Sequence, residues 1–171
     1  MRNKKLCWSN IKKMILWIAI PSVSLVCLLS ILSIISRSKP SVGMVAGRLR
    51  PCSARPNCVC SEDKDLPSYV EPLAVIGSPK SDWEKAKRIV REMGGKIVLE
   101  DGSYLWATFS TRIFRFIDDL ELRMDEESDV IHVRSSSRVG YSDLGANRRR
   151  VEDLRLRFAQ SQSSDGSVAA E

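Results

Sequence analysis

From Met14 to Ile35 the chain carries no charged residue, in the run MILWIAIPSVSLVCLLSILSII. Its length matches the ~20 apolar residues that a helix needs to cross a bilayer. Lys12 and Lys13 bound it on one side, Arg37 and Lys39 on the other. Pro21 and the internal serines are tolerated in such a helix, because neighbouring groups satisfy the freed backbone. The apolar region of a cleavable signal is shorter, ~7–15 residues, so the run is read as an uncleaved anchor. A signal peptide cleaved near Ser41-Val42-Gly43 is the alternative.

Beyond the span the pattern changes. Residues 36–50 read as a linker and 51–68, with three prolines and no apolar periodicity, as an ordered loop. Tyr69–Ile76 predicts a first strand, which Pro72 assigns to an edge. Ser81-Asp82-Trp83-Glu84 is a capping-box pattern. The helix it opens places Trp83, Ala86, Val90 and Met93 on one face and stops at Gly94-Gly95. Strands follow at Lys96–Glu100, Tyr104–Phe109, Phe116–Met124 and Val130–Ser135, and a helix at Asn147–Gln160 carries Val151, Leu154 and Phe158 on one stripe. The expected order is β-α-β-β-β-β-α: an α+β fold with one antiparallel sheet of about five strands and two helices on its apolar face. The chain divides into a basic tail (1–13), a transmembrane helix (14–35), a linker (36–50), the α+β domain (51–160) and a disordered tail (161–171).

Alternation in the third and fourth of those strands makes specific predictions. The acidic turn Asp125–Asp129 makes them a hairpin, pairing Leu122 with Ile131, Leu120 with Val133 and Glu121 with His132. Asp119 then lies opposite Arg134 on the solvent face, and His132 is an exposed strand residue. Asp118 shares parity with Leu120 and Leu122 and points under the helices. A buried carboxylate needs a partner, here Arg148 or the helix start near Asn147.

Net charge is +6, which invites a nucleic-acid reading. Residues 1–50 hold nine Lys/Arg and no acid, whereas the remainder is net −3. The basic excess therefore belongs to the membrane flanks, where anionic headgroups favour it, and nucleic acid is not expected as a partner. Five basic residues before the span against four after it predict a single-pass protein with its N-terminus cytoplasmic and its domain extracytoplasmic.

The richest chemistry lies in RSSSRVGYSDLGANR at 134–148. Hydroxyls and amides entering a helix N-terminus, with guanidiniums beside them, suit an anion. The structural alternative is a buried polar loop in which Asp143 or Ser142 caps the helix and the arginines pair with Asp118 and Asp119. Cys52, Cys58 and Cys60 lack the C-x2-C spacing of a zinc site, so neither a metal nor a cofactor is expected. A Cys52–Cys58 disulfide is the preferred reading for an extracytoplasmic domain. No nucleophile elbow, phosphate loop or dinucleotide fingerprint is present.

The run RSSSRVGYSDLGANRRRVE, with RPCSARPNCV at 50–59 and FRFIDDLELR at 114–123, resembles domain-of-unknown-function family 1499 over roughly residues 48–160. The resemblance implies membrane or exported proteins, mostly bacterial with plastid relatives, and carries no activity with it. Cys60 stands where the family pattern has a serine. The leading expectation is a membrane-anchored, non-enzymatic module. It would bind an anionic small molecule or an envelope protein through Arg134, Ser135, Ser137, Arg138, Tyr141, Asp143, Asn147 and Arg148. Alternatives are a hydrolase using Asp118 or Asp143 with a serine of 135–137, and a structural envelope protein without a ligand.

Overall fold

The structure is a computed structural model that describes residues 2–38 and 40–168, with side chains described between 13 and 163. Met1 of the expected basic tail, Lys39 of the span's flank and residues 169–171 of the expected disordered tail lie outside the described residues. Helix α1 (Arg2–Ile35) contains one stretch, Lys13–Ile35, long and apolar enough to cross a membrane. Its 23 residues span roughly 34 Å at ~1.5 Å each, against a hydrocarbon core of ~30 Å. Between residues 13 and 38 only Leu29, Leu32, Ser33 and Ser36 are withdrawn from the surface. That i, i+3, i+4, i+7 spacing is one helix face.

The chain then makes a two-stranded ribbon, β1 (Met44–Val45) and β2 (Arg48–Leu49). Its turn uses Ala46 and Gly47, both at positive φ, as a tight hairpin with matching twist requires. The main sheet is built from β3 (Cys58–Cys60), β4 (Leu73–Ala74), β5 (Lys96–Asp101), β6 (Tyr104–Ser110), β7 (Ile117–Asp125) and β8 (Val130–Ser137). The order is β3-β8-β7-β6-β5, and β4 shares the outer edge of β8 with β3. Every strand pairing is antiparallel. Helices α2 (Pro79–Glu92) and α3 (Ala146–Val168) cover one face. Leu105, Ala107, Leu120, Leu122, Ile131 and Val133 meet Ala86, Val90, Val151, Leu154 and Phe158 in a continuous core. Burial of each large side chain there stabilises by ~1.5–3 kcal/mol. Gly94 turns the chain out of α2 at positive φ. A Cβ on Gly95 would fall 2.7 Å from the Val90 carbonyl oxygen and from the Phe109 ring, so only glycine lets β5 start against the helix.

The α+β class stands, and several details are corrected. The sheet has six strands because the segment read as loop, 51–68, supplies β3. The expected strand Tyr69–Ile76 shrinks to Leu73–Ala74. Residues 36–50, read as linker, carry the ribbon, and α3 runs past Gln160 to Val168. The cap of α2 is Ser78, whose side chain accepts from Ser81 N, with Pro79 in the first helical position. Proline there has a suitable φ and no amide to waste, which moves the start ahead of the Ser81 capping box.

The β7–β8 register is shifted by two residues. Leu122 pairs with Val133, Leu120 with Ser135, Glu121 with Arg134, and Asp119 with Ser136. Asp125 remains in the strand, held by Arg123 at 3.1 Å, so the turn is Glu126–Asp129 with Asp129 at φ 50°. A shift of two preserves faces, which is why Asp118 still points under the helices. Its partner is Arg150 at 2.6 Å, not Arg148 or Asn147.

Candidate functional site

The second face of the sheet departs furthest from expectation. Residues 42–57 lie against it, with Leu49, Cys60 and Tyr104 in a small core beside Cys52 and Trp106. Beneath this cover run three rows of paired charge. Asp119 accepts from Arg138 Nε and Nη2, each at 2.8 Å, and from Trp106 Nε1 at 2.8 Å. Glu121 accepts from Arg134, from the Tyr104 hydroxyl at 2.7 Å and from Gly43 N at 2.6 Å. Glu62 accepts from Arg123 Nε at 2.8 Å and from Arg48 Nε at 3.0 Å. Asp119 is therefore buried and paired with Arg138, and is neither exposed nor opposite Arg134.

His132 is likewise mostly buried. Its Nδ1 lies 3.0 Å from Ser61 Oγ and its Nε2 3.6 Å from Asp125. Burial above all lowers its pKa, with Arg123 and Arg48 adding to the shift against Glu62 and Asp125. Ser61, His132 and Asp125 have the order of a hydrolytic triad, but Ser61 is 1% exposed and its oxygen accepts from Val133 N at 2.8 Å. That hydroxyl closes the strand edge.

The segment 134–148 divides into two parts. Its larger part is a latch. Asn147 Nδ2 donates to Asn57 O and to Ser137 Oγ, both at 3.0 Å, and Asn57 Nδ2 returns a bond to Gly140 O at 2.8 Å. Ser135 donates to Asn147 Oδ1 at 2.7 Å. Arg150 joins this cluster to Asp118, with its guanidinium 4.7 Å from the Phe109 ring centroid. Asp143 accepts from Gly145 N and Asn147 N, capping the entry to α3. Arg148 donates to the carbonyls of Tyr69 and Pro67 at 2.9 Å. Tyr141 is exposed. Ser135, Asp118 and Asp143 are thus committed to structural bonds, and no carboxylate bonds a hydroxyl of Ser135, Ser136 or Ser137 among the described residues.

The other part lines a cavity of about 360 Å³ on the second face. Asp119, Arg134, Ser136, Ser137 and Arg138 form its floor, Ser38, Pro40 and Ser41 one wall, and Ser53, Arg55 and Asn57 the other. The second wall is held by the Cys52–Cys58 disulfide, with Cα atoms 5.7 Å apart. Cys60 is a buried free thiol whose pKa burial pushes up to about 11, so it is inert as a nucleophile. Several donors of its lining have no acceptor among the described residues. Arg134 Nε is buried with no hydrogen-bond partner, the Ser136 hydroxyl has none, and Arg55 makes no ion pair. No group of His, Cys, Asp and Glu suited to a metal occurs among them.

Sequence reading chose Arg134, Ser137 and Arg138 of this cavity. It missed Arg55, Ser53, Asn57, Ser136 and the wall of Ser38, Pro40 and Ser41. Their signal was the disulfide loop, which brackets Ser53–Asn57. A family model matches residues 48–158, with the description "Protein of unknown function (DUF1499)". No curated protein and no solved structure matches the chain.

Proposed function

We propose that this chain, which belongs to the DUF1499 family, is a membrane-anchored binding module that holds an anionic group in the cavity floored by Arg134, Ser136 and Arg138. One observation carries the reading: Arg134, a residue on the lining of an open polar cavity, keeps a buried Nε donor without an acceptor. Leaving such a donor unpaired costs ~1–3 kcal/mol, a cost that a ligand oxygen removes. Arg138 and Arg134 are already neutralised by Asp119 and Glu121, so the cavity's free positive charge is Arg55. It favours a phosphate or carboxylate.

The anchor is α1, with the N-terminus cytoplasmic and the domain outside. Supporting this side are the five basic residues before the span and a disulfide, which persists in oxidising compartments. The test is calorimetric titration of detergent-solubilised full chain with inorganic phosphate and with acetate. Arg55→Gln and Ser136→Ala should each weaken binding, the arginine change by roughly tenfold or more, as loss of a charged hydrogen bond of ~1.5–3 kcal/mol implies. Equal affinity of both variants and the parent would reject the site.

A further inference from the structure

The sheet has two ends, and one of them adjoins the exit of α1. Ile117 N donates to Ser36 Oγ at 3.3 Å, and Arg138 Nη1 donates to the carbonyls of Ser36 and Ser38. Two loops leave the sheet at this end, 111–116 between β6 and β7 and 138–145 between β8 and α3. They carry Ile113 at 83% exposure, Leu144 at 86% and Tyr141 at 72%. Outside α1 the only other large hydrophobic above 70% among the described residues is Ile76, at 78%. Ile76 belongs to the opposite end, following Ala74, which pairs with Val130. The nine residues of β7 separate the two ends by roughly 27 Å.

The first loop is shaped and pinned. Phe116 N donates to Thr111 Oγ1 at 2.9 Å, and Thr111 N to Phe116 O at 3.0 Å. Arg115 is held at φ 55°, a conformation that costs a non-glycine residue ~1–2 kcal/mol. The tip thereby presents Ile113 between Arg112 and Arg115, with Phe114 half-buried beside Phe116. Leu144 is also held at positive φ, 54°. Residues held in such conformations cluster at binding and functional sites.

We propose that these two loops dock on the bilayer that α1 spans, with Ile113 and Leu144 in the interface and Arg112 and Arg115 on anionic headgroups. The inference rests on α1 being an anchor. Three observations choose a membrane as the occupant. The loops adjoin the end of a helix able to span one. Apolar tips flanked by arginine match the apolar–anionic layering of the interface. The withdrawn face of α1 begins at Leu29, roughly 10 Å before Ser36 along the axis. The end of α1 is therefore covered by the rest of the chain, which holds the domain close to the exit of the span. The binding cavity, walled by Ser38, Pro40 and Ser41, then opens at headgroup level.

The test places the photo-cross-linker p-benzoylphenylalanine in the full chain, in nanodiscs of mixed phosphatidylglycerol and phosphatidylcholine, replacing in turn Ile113, Leu144, Ile76 and Val23. All four side chains are exposed, so folding is not at stake. Lipid adducts several-fold higher at 113 and 144 than at 76, reduced by Arg112→Glu with Arg115→Glu, are expected. Adducts at 23 with 113 and 144 no higher than 76 would overturn the docking and leave the anchor intact. No adducts at 23, 113 or 144 would overturn both. Ile113 linked instead to a second copy of the chain would reject the membrane and assign the face to self-association.

Discussion

Asp118 and Asp119 are adjacent in β7 and face opposite ways, yet both are buried and each holds an arginine. Removing one member of a buried charged pair costs ~3–5 kcal/mol, because its partner is left uncompensated. Asp118→Ala and Asp119→Ala should therefore each destabilise on that scale in urea titrations. Asp119→Ala should also shift the emission of Trp106, whose Nε1 it binds. A loss under ~1 kcal/mol at Asp119 would mean that the second face is open to solvent. Parity alone revealed the burial of Asp118. It misassigned Asp119, because the cover comes from residues 42–57, whose burial follows no 2- or 3.6-residue period.

At the scale of elements, two local devices hold distant segments. The Cys52–Cys58 bond closes a short loop that carries Arg55. Chain-entropy reasoning gives such a bond roughly 2 kcal/mol. Cys52→Ser with Cys58→Ser should lower stability by about that amount in denaturant and weaken phosphate binding in the same protein. Unchanged binding would show that Arg55 is not positioned by the loop. The second device is Asp82, fully buried in α2. Burial raises its pKa, but bonds from Lys85, the amides of Gly77 and Ile76, and Gln162 of α3 outweigh this and lower it. A carboxyl depressed in the folded state stabilises above its unfolded pKa, and that stability is lost as pH falls through the folded value. Stability should thus decline below about pH 4, and Asp82→Asn should lose stability at pH 7 while flattening this acid limb. A limb of unchanged slope would assign the acid sensitivity to other carboxylates.

For the whole molecule, the cavity is assembled from four stretches far apart in the chain: Ser38, Pro40 and Ser41 after α1, residues 51–58 around the disulfide, Asp119 in β7, and residues 134–138 at the end of β8. Removing α1 should therefore be felt in binding. A chain starting at Val42 lacks one cavity wall and two acceptors of Arg138. It should bind phosphate several-fold more weakly than the full chain, while thermal melting of the domain core shifts little. Equal affinity in the two chains would show that phosphate does not use the wall formed by Ser38, Pro40 and Ser41.

By itself the sequence determined the apolar span, the α+β class and the helix-covered core. Each of these rests on a local period that places apolar side chains on one face. It also singled out the Ser/Arg segment, and it could not apportion its roles. Asn147, Ser135 and Arg150 became a latch because Asn57 and Asp118 lie within bonding reach in the fold. Arg134 keeps an unpaired donor because Glu121 engages its Nη1 and leaves Nε without a partner. Only the tertiary structure decided these, since hydrogen bonds are directional and limited to about 3 Å. Which donor is satisfied depends on residues brought together from distant parts of the chain, and no period along the sequence encodes that.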